Sequence, residues 1–130
     1  MKVVFALVAD AANVSQEGKL NILGSFANIY ASTFPARHPE MQLVIRMEAS
    51  PAEVDKKKQI EVTIVDEDGS KISGFAGDFV VPKAAQPGEY AHMQLVMRLV
   101  DTVFPKKGKY AIYVLIDGNT EATVPLSVGG

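Results

Sequence analysis

Residues 110–128, YAIYVLIDGNTEATVPLSV, contain the pattern that decides the fold. In the first seven residues an apolar side chain recurs at every second position, namely at Tyr110, Ile112, Val114 and Ile116. A period of two is that of a β-strand, whose successive side chains point to opposite faces of a sheet. Asp117-Gly118 then tolerates the positive φ angles of a tight turn, and the alternation resumes over 120–128. The stretch therefore predicts a β-hairpin.

The same alternation recurs along the chain, whereas a helical period is nearly absent. A second Asp-Gly turn, Asp68-Gly69, separates two further alternating runs. We predict eight strands, at residues 2–9, 19–31, 41–49, 58–66, 71–81, 90–100, 109–117 and 120–128. Short strands with such turns are typical of a single antiparallel β-sandwich over residues 1–130, immunoglobulin-like or jelly-roll-like. The long stretches 32–40 and 82–89 would then be Greek-key connections.

Three local signals add detail to this prediction. The apolar positions change parity within residues 71–81, which predicts a β-bulge near Ser73-Gly74. Pro125 has no N–H for a ladder, so we expect the last strand to be an edge there. Ser50, Pro51 and Glu53 match the capping box of a helical turn.

Composition excludes several classes of function. Among 130 residues, 13 are basic and 15 acidic, so no strong field attracts nucleic acid or an anionic membrane. There is no cysteine, which removes disulfides, thiolate metal sites and cysteine nucleophiles. Only His38 and His92 are available to a histidine-based site, and no phosphate-binding or nucleophile motif is present. We therefore expect no enzyme, no cofactor, and no nucleic-acid or membrane partner.

The N-terminal segment MKVVFALVADAA has two interpretations, a secretory signal peptide or the first strand. One lysine precedes a seven-residue apolar run, and Asp10 lies inside the cleavage-like motif; both features are unfavourable for a signal peptide. Apolar residues on both alternating faces, such as Val3 and Val4, are instead typical of a strand at the centre of a sheet. We predict a strand here, a loop from Asp10 to Glu17, and a cytoplasmic protein.

A set of short motifs extends along nearly the whole chain. They are Asp10-Ala11, Gly18-Lys19-Leu20-Asn21 with Gly24, Phe34-Pro35 before a strand, and the hairpin of residues 108–128 with its Tyr-containing strand and Pro-Leu ending. In these motifs the chain resembles a family of uncharacterised bacterial proteins known only as a domain of unknown function. The resemblance implies a bacterial or phage-related protein with an all-β fold. It implies no activity and no catalytic residue.

Four apolar residues occupy positions that should be polar if each sheet has one solvated face. Val44 and Val96 interrupt otherwise polar strand faces, and Tyr113 and Leu115 make strand 109–117 apolar on both faces. Together they predict an exposed patch that binds a protein partner or a second copy of the chain. The alternative is that a loop such as 32–40 covers them. The first hypothesis is therefore a non-enzymatic interaction module that uses a sheet face, with a homodimer as one form of it.

The second hypothesis is a site for a small, carbohydrate-like ligand. His92, Gln94 and Arg98 share one face of strand 90–100, and Arg46 lies on the corresponding face of strand 41–49. If the two strands are neighbours, these planar, multi-donor side chains form a flat polar surface beside Tyr90 that suits a sugar or a peptide. The candidate ligand residues are Arg46, Tyr90, His92, Gln94 and Arg98. The alternative is a solvated face with ion pairs such as Glu48 with Arg98.

Two further segments carry candidate residues. In FPARHPEM, residues 34–41, two prolines flank Arg37 and His38, so a rigid loop would display both to an anion. A plain crossover loop is the alternative. The acidic run 66–68 would need further carboxylates, such as Asp10 or Asp117, to bind calcium, and it lacks the spacing of a calcium loop. We therefore expect no metal there.

Overall fold

The alternating runs form β-strands along the whole chain. The computed structural model describes all 130 residues, Met1 to Gly130. It contains nine strands and one short 3-10 turn, η1: β1 (Lys2–Val14), β2 (Leu20–Phe26), β3 (Asn28–Ile29), β4 (Ala36–Ala49), η1 (Pro51–Glu53), β5 (Lys57–Val65), β6 (Lys71–Val80), β7 (Ala91–Phe104), β8 (Gly108–Ile116) and β9 (Asn119–Val128). None of its helices is long and apolar enough to cross a bilayer. The predicted all-β class is confirmed.

The strands form two sheets packed face to face. Sheet A has the strand order β2-β1-β4-β7, and sheet B has the order β3-β9-β8-β5-β6. All neighbouring strands are antiparallel except β3 and β9, which are parallel. The hairpin predicted from residues 110–128 is β8–β9, in which Ile112 lies opposite Val124. The predicted β-sandwich is confirmed.

The hydrophobic core lies between the inner faces of the two sheets. The inward-facing residues of β4 are fully buried: Met41, Leu43, Ile45 and Met47. Sheet B contributes apolar side chains from β5, β8 and β9: Ile60, Val62, Ile64, Ile112, Val114, Ile116, Val124 and Leu126. Each set follows the period of two seen in the sequence, because only every second residue of a strand faces the partner sheet. Removal of this apolar surface from water is the main favourable contribution to folding.

Four predicted boundaries are wrong, and one of them is the end of strand 90–100, because β7 continues to Phe104. β1 continues to Val14, so the first part of the predicted loop from Asp10 to Glu17 is strand. The predicted strand 19–31 is two strands, because the chain passes from sheet A to sheet B at Ala27. β4 begins at Ala36, so the predicted connection 32–40 is only partly a loop. Each difference arises from strand pairing, which local alternation does not reveal.

The strand edges agree with the local signals. The register between β5 and β6 shifts opposite residues 71–73, beside the predicted bulge. Pro125 lies on a part of β9 that has only β8 beside it, because β3 first pairs with β9 at Ser127. On the other side of the sandwich, β6 and β7 are both free edge strands. Phe75 of β6 consequently remains 41% exposed although its partner in register, Val62, is buried.

An ionic cluster connects η1 to the N-terminus and to β5. The predicted capping box is confirmed, since the Ser50 N–H donates to Glu53 Oε1 at 3.1 Å. Glu53 Oε2 lies 3.0 Å from the Met1 amino nitrogen and 3.1 Å from Lys58 Nζ, and Lys58 Nζ lies 3.5 Å from Asp117 Oδ2. Burial alone would raise the pKa of the Glu53 carboxyl, but hydrogen bonds from the amino group, Ser50 and Lys58 outweigh it and lower the pKa to about 2.

Asp101 changes which residues of β7 face the core. It has a φ of 54°, and beyond it Thr102 and Phe104 are buried. The Phe104 ring meets Tyr110 edge-on, with 5.0 Å between the ring centroids and 76° between the planes. The Tyr110 hydroxyl donates to the Lys106 carbonyl at 2.6 Å and accepts from the Lys106 N–H at 3.3 Å. These contacts fix the connection between β7 and β8.

Candidate interaction surface and ligand-binding depression

The outer face of sheet A contains a row of apolar side chains. Register places Leu7, Val44 and Val96 side by side on three neighbouring strands. They alternate with core positions and therefore point away from sheet B. Val44 is fully buried, Leu7 and Val96 are half-buried, and the half-buried Phe5 extends the row along β1. We call Phe5, Leu7, Val44 and Val96 the apolar row.

β1 and β2 continue past the end of their pairing with β4 as a two-stranded arm, defined by residues 10–24, whose turn lies over the outer face of β4 and β7. β4 pairs with β1 only up to Ala9, so the strands of the arm pair with each other alone. Leu23 of the arm lies opposite Ala11 and is 72% exposed. Strand alternation places Leu23 on the face of β2 opposite to Leu20, which lies against sheet A, so Leu23 points to solvent. The arm therefore presents a strongly exposed apolar side chain on its solvent side.

Gly24 lies where the arm leaves sheet A, and its conformation requires glycine. Its φ is 69°, and a Cβ atom there would lie 2.7 Å from Asp10 Oδ2. We expect Gly24→Ala to lower the free energy of unfolding by about 1–2 kcal/mol, because an L-residue is strained at this φ and the new methyl group displaces the carboxylate. Urea unfolding measures the change.

Gly77 supplies the matched control for this substitution. It lies in β6, its φ is not in the positive region, and a Cβ atom would meet nothing within 4 Å. We expect Gly77→Ala to change the free energy of unfolding by about 0.5 kcal/mol or less. Equal losses in the two variants would contradict the role given to Gly24.

A shallow depression of about 510 Å³ lies between the turn of the arm and the outer face of sheet A. It is lined by Gly18, Lys19 and Leu20 of the arm, Arg46 of β4, and His92, Met93 and Gln94 of β7. The β4–β7 pairing that the ligand hypothesis required is present, with Arg46 opposite Gln94. His92 Nδ1 lies 3.7 Å from Glu48 Oε1 on the neighbouring strand. The structure thus brings together three of the five candidate ligand residues.

The arm turn is the part of the depression that the sequence patterns did not place there. Its signal is the polar run SQEGK, residues 15–19, between Val14 and Leu20, which is typical of a hairpin turn. The sequence pattern predicts that the loop ends at Glu17. It does not predict that the strand after this loop pairs with β1. Without that pairing, no pattern connected Lys19 to strands β4 and β7.

Two of the five candidate ligand residues lie outside the depression. Tyr90 precedes β7 and is 58% exposed. Arg98 lies further along β7, and its guanidinium pairs with Glu40. The predicted ion pair of Glu48 with Arg98 is wrong, because the register places Gln42 opposite Arg98.

The four candidate partner-binding residues do not form one patch. Val44 and Val96 lie on the outer face of sheet A, whereas Tyr113 and Leu115 are half-buried on β8 of sheet B. The outer faces of the two sheets point in opposite directions, so the expectation of a single patch is wrong. Alternation shows which residues share one face of a strand, and it does not show to which sheet that strand belongs.

Arg37 and His38 are not displayed on a loop, because β4 already begins at Ala36. The Arg37 guanidinium pairs with Asp101. The His38 ring is half-buried, with its centroid 5.8 Å from that of Phe26, and its Nε2 is buried without a hydrogen-bond partner. The prediction of a rigid anion-binding loop is therefore wrong.

The acidic turn after β5 uses its carboxylates within the fold. Asp66 Oδ1 accepts the Asp68 N–H at 2.9 Å, and Glu67 Oε1 accepts the Lys109 N–H at 2.8 Å. Asp68 lies 3.0 Å from Lys106 Nζ, and this hydrogen bond raises the pKa of Lys106. No group of three or more histidine, aspartate or glutamate side chains is arranged to hold a metal ion.

Comparison with solved structures gives only weak likenesses. A β-glucuronidase from glycoside hydrolase family 2 has 16% identity and a TM-score of 0.42, over 69% of this chain and 10% of that one. The Pseudomonas fluorescens alkylpurine DNA glycosylase AlkC, bound to DNA containing an abasic site analog, has 15% identity and a TM-score of 0.44. The match covers 96% of this chain and 30% of that one. A glycosyl hydrolase family 2 member from Bacteroides cellulosilyticus has 13% identity and a TM-score of 0.36, and the match covers 75% of this chain and 14% of that one. The chain thus spans less than a third of each, and TM-scores below 0.5 assign it no activity.

A family model covers nearly the whole chain, whereas no curated protein sequence matches it. Residues 4–129 match the model described as "Family of unknown function (DUF6941)". This match confirms the resemblance to a domain of unknown function. The chain is therefore a member of the DUF6941 family.

Proposed function

We propose that the chain is a non-enzymatic interaction module that binds a second copy of itself through the arm, on the outer side of sheet A. The observation that carries the proposal is the group of apolar side chains exposed on the arm, Val14, Ile22 and Leu23, of which Leu23 is 72% exposed. An apolar surface with a polar border is typical of a protein interface. A net charge of −2 leaves only weak repulsion between two copies.

The ionisable groups support a non-catalytic role. Four groups have shifted pKa values: Glu53, Lys58, Lys106 and Asp117. A hydrogen bond from a backbone N–H lowers the pKa of Asp117, and one with Glu53 raises that of Lys58. Catalytic groups with shifted pKa values usually lie together in a cleft, whereas none of these four lines the depression.

The cytoplasm is the proposed location. The apolar N-terminal segment that resembles a signal peptide is strand β1, paired on both sides by β2 and β4. The absence of cysteine is compatible with a reducing compartment.

Leu23→Glu tests the proposed self-association. We expect the unaltered chain to be a dimer by size-exclusion chromatography with light scattering at about 100 μM, and the variant to be a monomer. The reason is that a two-fold interface would place two like charges in an apolar contact. Because Leu23 is exposed, we expect its replacement to change the free energy of unfolding by less than about 0.5 kcal/mol.

Tyr30→Glu is the matched control, since Tyr30 is 81% exposed and follows β3, at the edge of sheet B. We expect this variant to remain a dimer. A monomeric unaltered chain at 1 mM would remove the proposal of self-association. A dimer that persists in Leu23→Glu and dissociates in Tyr30→Glu would move the interface away from sheet A.

A carbohydrate-like small ligand is the second candidate function, and the depression favours it. Its lining combines the polar side chains of Arg46, His92 and Gln94 with the apolar Leu20. Arg46 and Gln94 there make no hydrogen bond or ion pair with another side chain, so both are available to a ligand. A ligand bound here would change the amide chemical shifts of Leu20 and Gln94 in a saccharide titration.

A further inference from the structure

Arg46 differs from the other two arginines of the chain. Arg37 pairs with Asp101, and Arg98 pairs with Glu40. Both of these pairs lie on exposed parts of the surface. Arg46 is half-buried, forms no ion pair, and lines the depression. It is therefore the one guanidinium without a carboxylate, and it is the one that faces a cavity.

The electrostatics of the depression favour an anion at Arg46. Partial burial of a guanidinium costs free energy unless a hydrogen-bonded counter-charge compensates for it. The neighbouring lysine already has a partner, since Lys19 Nζ lies 3.3 Å from Glu17 Oε2. Arg46 is left without a carboxylate at ion-pair distance. A planar carboxylate matches its fork of donors in a bidentate pair.

The same surroundings favour a singly charged ligand over a dianion. Glu17 and Glu48 carry negative charges at the border of the depression, and like charges within a few ångströms repel. A phosphate dianion would meet both glutamates with only one free cation to offset them. A carboxylate carries a single charge, and the rest of its molecule can reach Gln94, a neutral side chain with both donors and an acceptor.

We infer that the depression binds a sugar acid, with the ligand carboxylate on Arg46 and its hydroxyl groups on Gln94, His92 and the arm turn. The inference rests on the second candidate function and names its ligand class. Hydroxyl groups of a saccharide both donate and accept, as the side chains of Gln94 and His92 do. Leu20 provides apolar surface for the carbon face of the ring.

Two matched sugars test the inference, galacturonate and galactose, which differ in the presence of the carboxylate. We expect galacturonate to shift the amide resonances of Leu20, Arg46 and Gln94 in two-dimensional NMR spectra, with a Kd at least tenfold lower than that of galactose. A tenfold ratio corresponds to about 1.4 kcal/mol. In Arg46→Gln, we expect the galacturonate Kd to rise to that of galactose. Arg37→Gln removes an arginine outside the depression and is expected to leave both Kd values unchanged.

The remaining outcomes separate the ligand class from the function on which it rests. Equal Kd values for the two sugars would overturn the role of the carboxylate and leave a neutral-saccharide site standing. Acetate bound as tightly as galacturonate would overturn the saccharide assignment. Inorganic phosphate bound more tightly than galacturonate would overturn the preference for a single charge. No shift with any of these probes would remove both the inference and the second candidate function.

Discussion

Phe104→Ala is expected to lower the free energy of unfolding by about 3–5 kcal/mol, the range for a fully buried phenylalanine. Phe104 has no solvent exposure and contacts the Tyr110 ring edge-on. The substitution removes the apolar burial of one ring and this aromatic contact, and it leaves a cavity beside Tyr110. For a domain of this size the loss corresponds to a decrease in Tm of roughly 15 °C, measurable by calorimetry or circular dichroism.

Phe75→Ala is the matched control, because the same atoms are removed from a ring that is 41% exposed. We expect a loss of about 1 kcal/mol. If Phe104→Ala does not fold, Phe104→Leu keeps most of the volume and is expected to cost about 1–2 kcal/mol. Losses no larger at position 104 than at position 75 would show that the end of β7 does not belong to the core.

Glu53→Gln is expected to cost about 2 kcal/mol of unfolding free energy at pH 7. The substitution removes the charge that the Met1 amino group and Lys58 share at 3.0 and 3.1 Å. The Glu53 pKa decreases from 4.5 to about 2 on folding. This change is equivalent to about 3 kcal/mol in a site without solvent screening, and the 17% exposure of the side chain reduces the value to about 2 kcal/mol.

The pH dependence distinguishes this ionic effect from loss of packing. A depressed carboxyl pKa stabilises the fold fully above the unfolded-state value of 4.5, and the stabilisation is lost as the pH falls from 4.5 to about 2. In urea unfolding we therefore expect the unaltered chain and Glu53→Gln to differ at pH 7 and to converge near pH 2. Glu61→Gln, an exposed position on β5, is expected to match the unaltered chain throughout. A difference that stayed constant down to pH 2 would indicate packing.

The sequence predicted the strands well because alternation is a local property. Ile112 and Val114 face the same side of β8 whatever the rest of the chain does. The assignment of strands to sheets depends instead on pairing between distant segments. For this reason Val44 and Tyr113 were expected to share a patch, and the passage between sheets at Ala27 was not predicted.

In the candidate site, too, local alternation is predictable from the sequence and long-range pairing is not. Arg46, His92 and Gln94 could be assigned to polar strand faces from the sequence, and the pairing of β4 with β7 then brought them together. The arm turn could not be placed, because the position of Lys19 depends on the pairing of β1 with β2 and on how the arm lies over sheet A. The absence of a partner for Arg46 is also invisible in the sequence, since it follows from register. Glu40 and Glu48 are both near it in the chain, and only the three-dimensional pairing shows that Glu40 meets Arg98 and Glu48 lies beside His92.

The two-residue strand β3 has a consequence for the order of folding during synthesis. It pairs residues 28–29 with residues 127–128 in β9, which follows every other strand in the chain. β1, β2 and β4 can pair once about the first fifty residues have left the ribosome, but the edge of sheet B cannot close until β9 has emerged. Contacts between such distant segments slow folding, and the uncovered apolar inner face of sheet A is prone to aggregation in the meantime. The chain therefore acquires its stability late, when almost all of it is available.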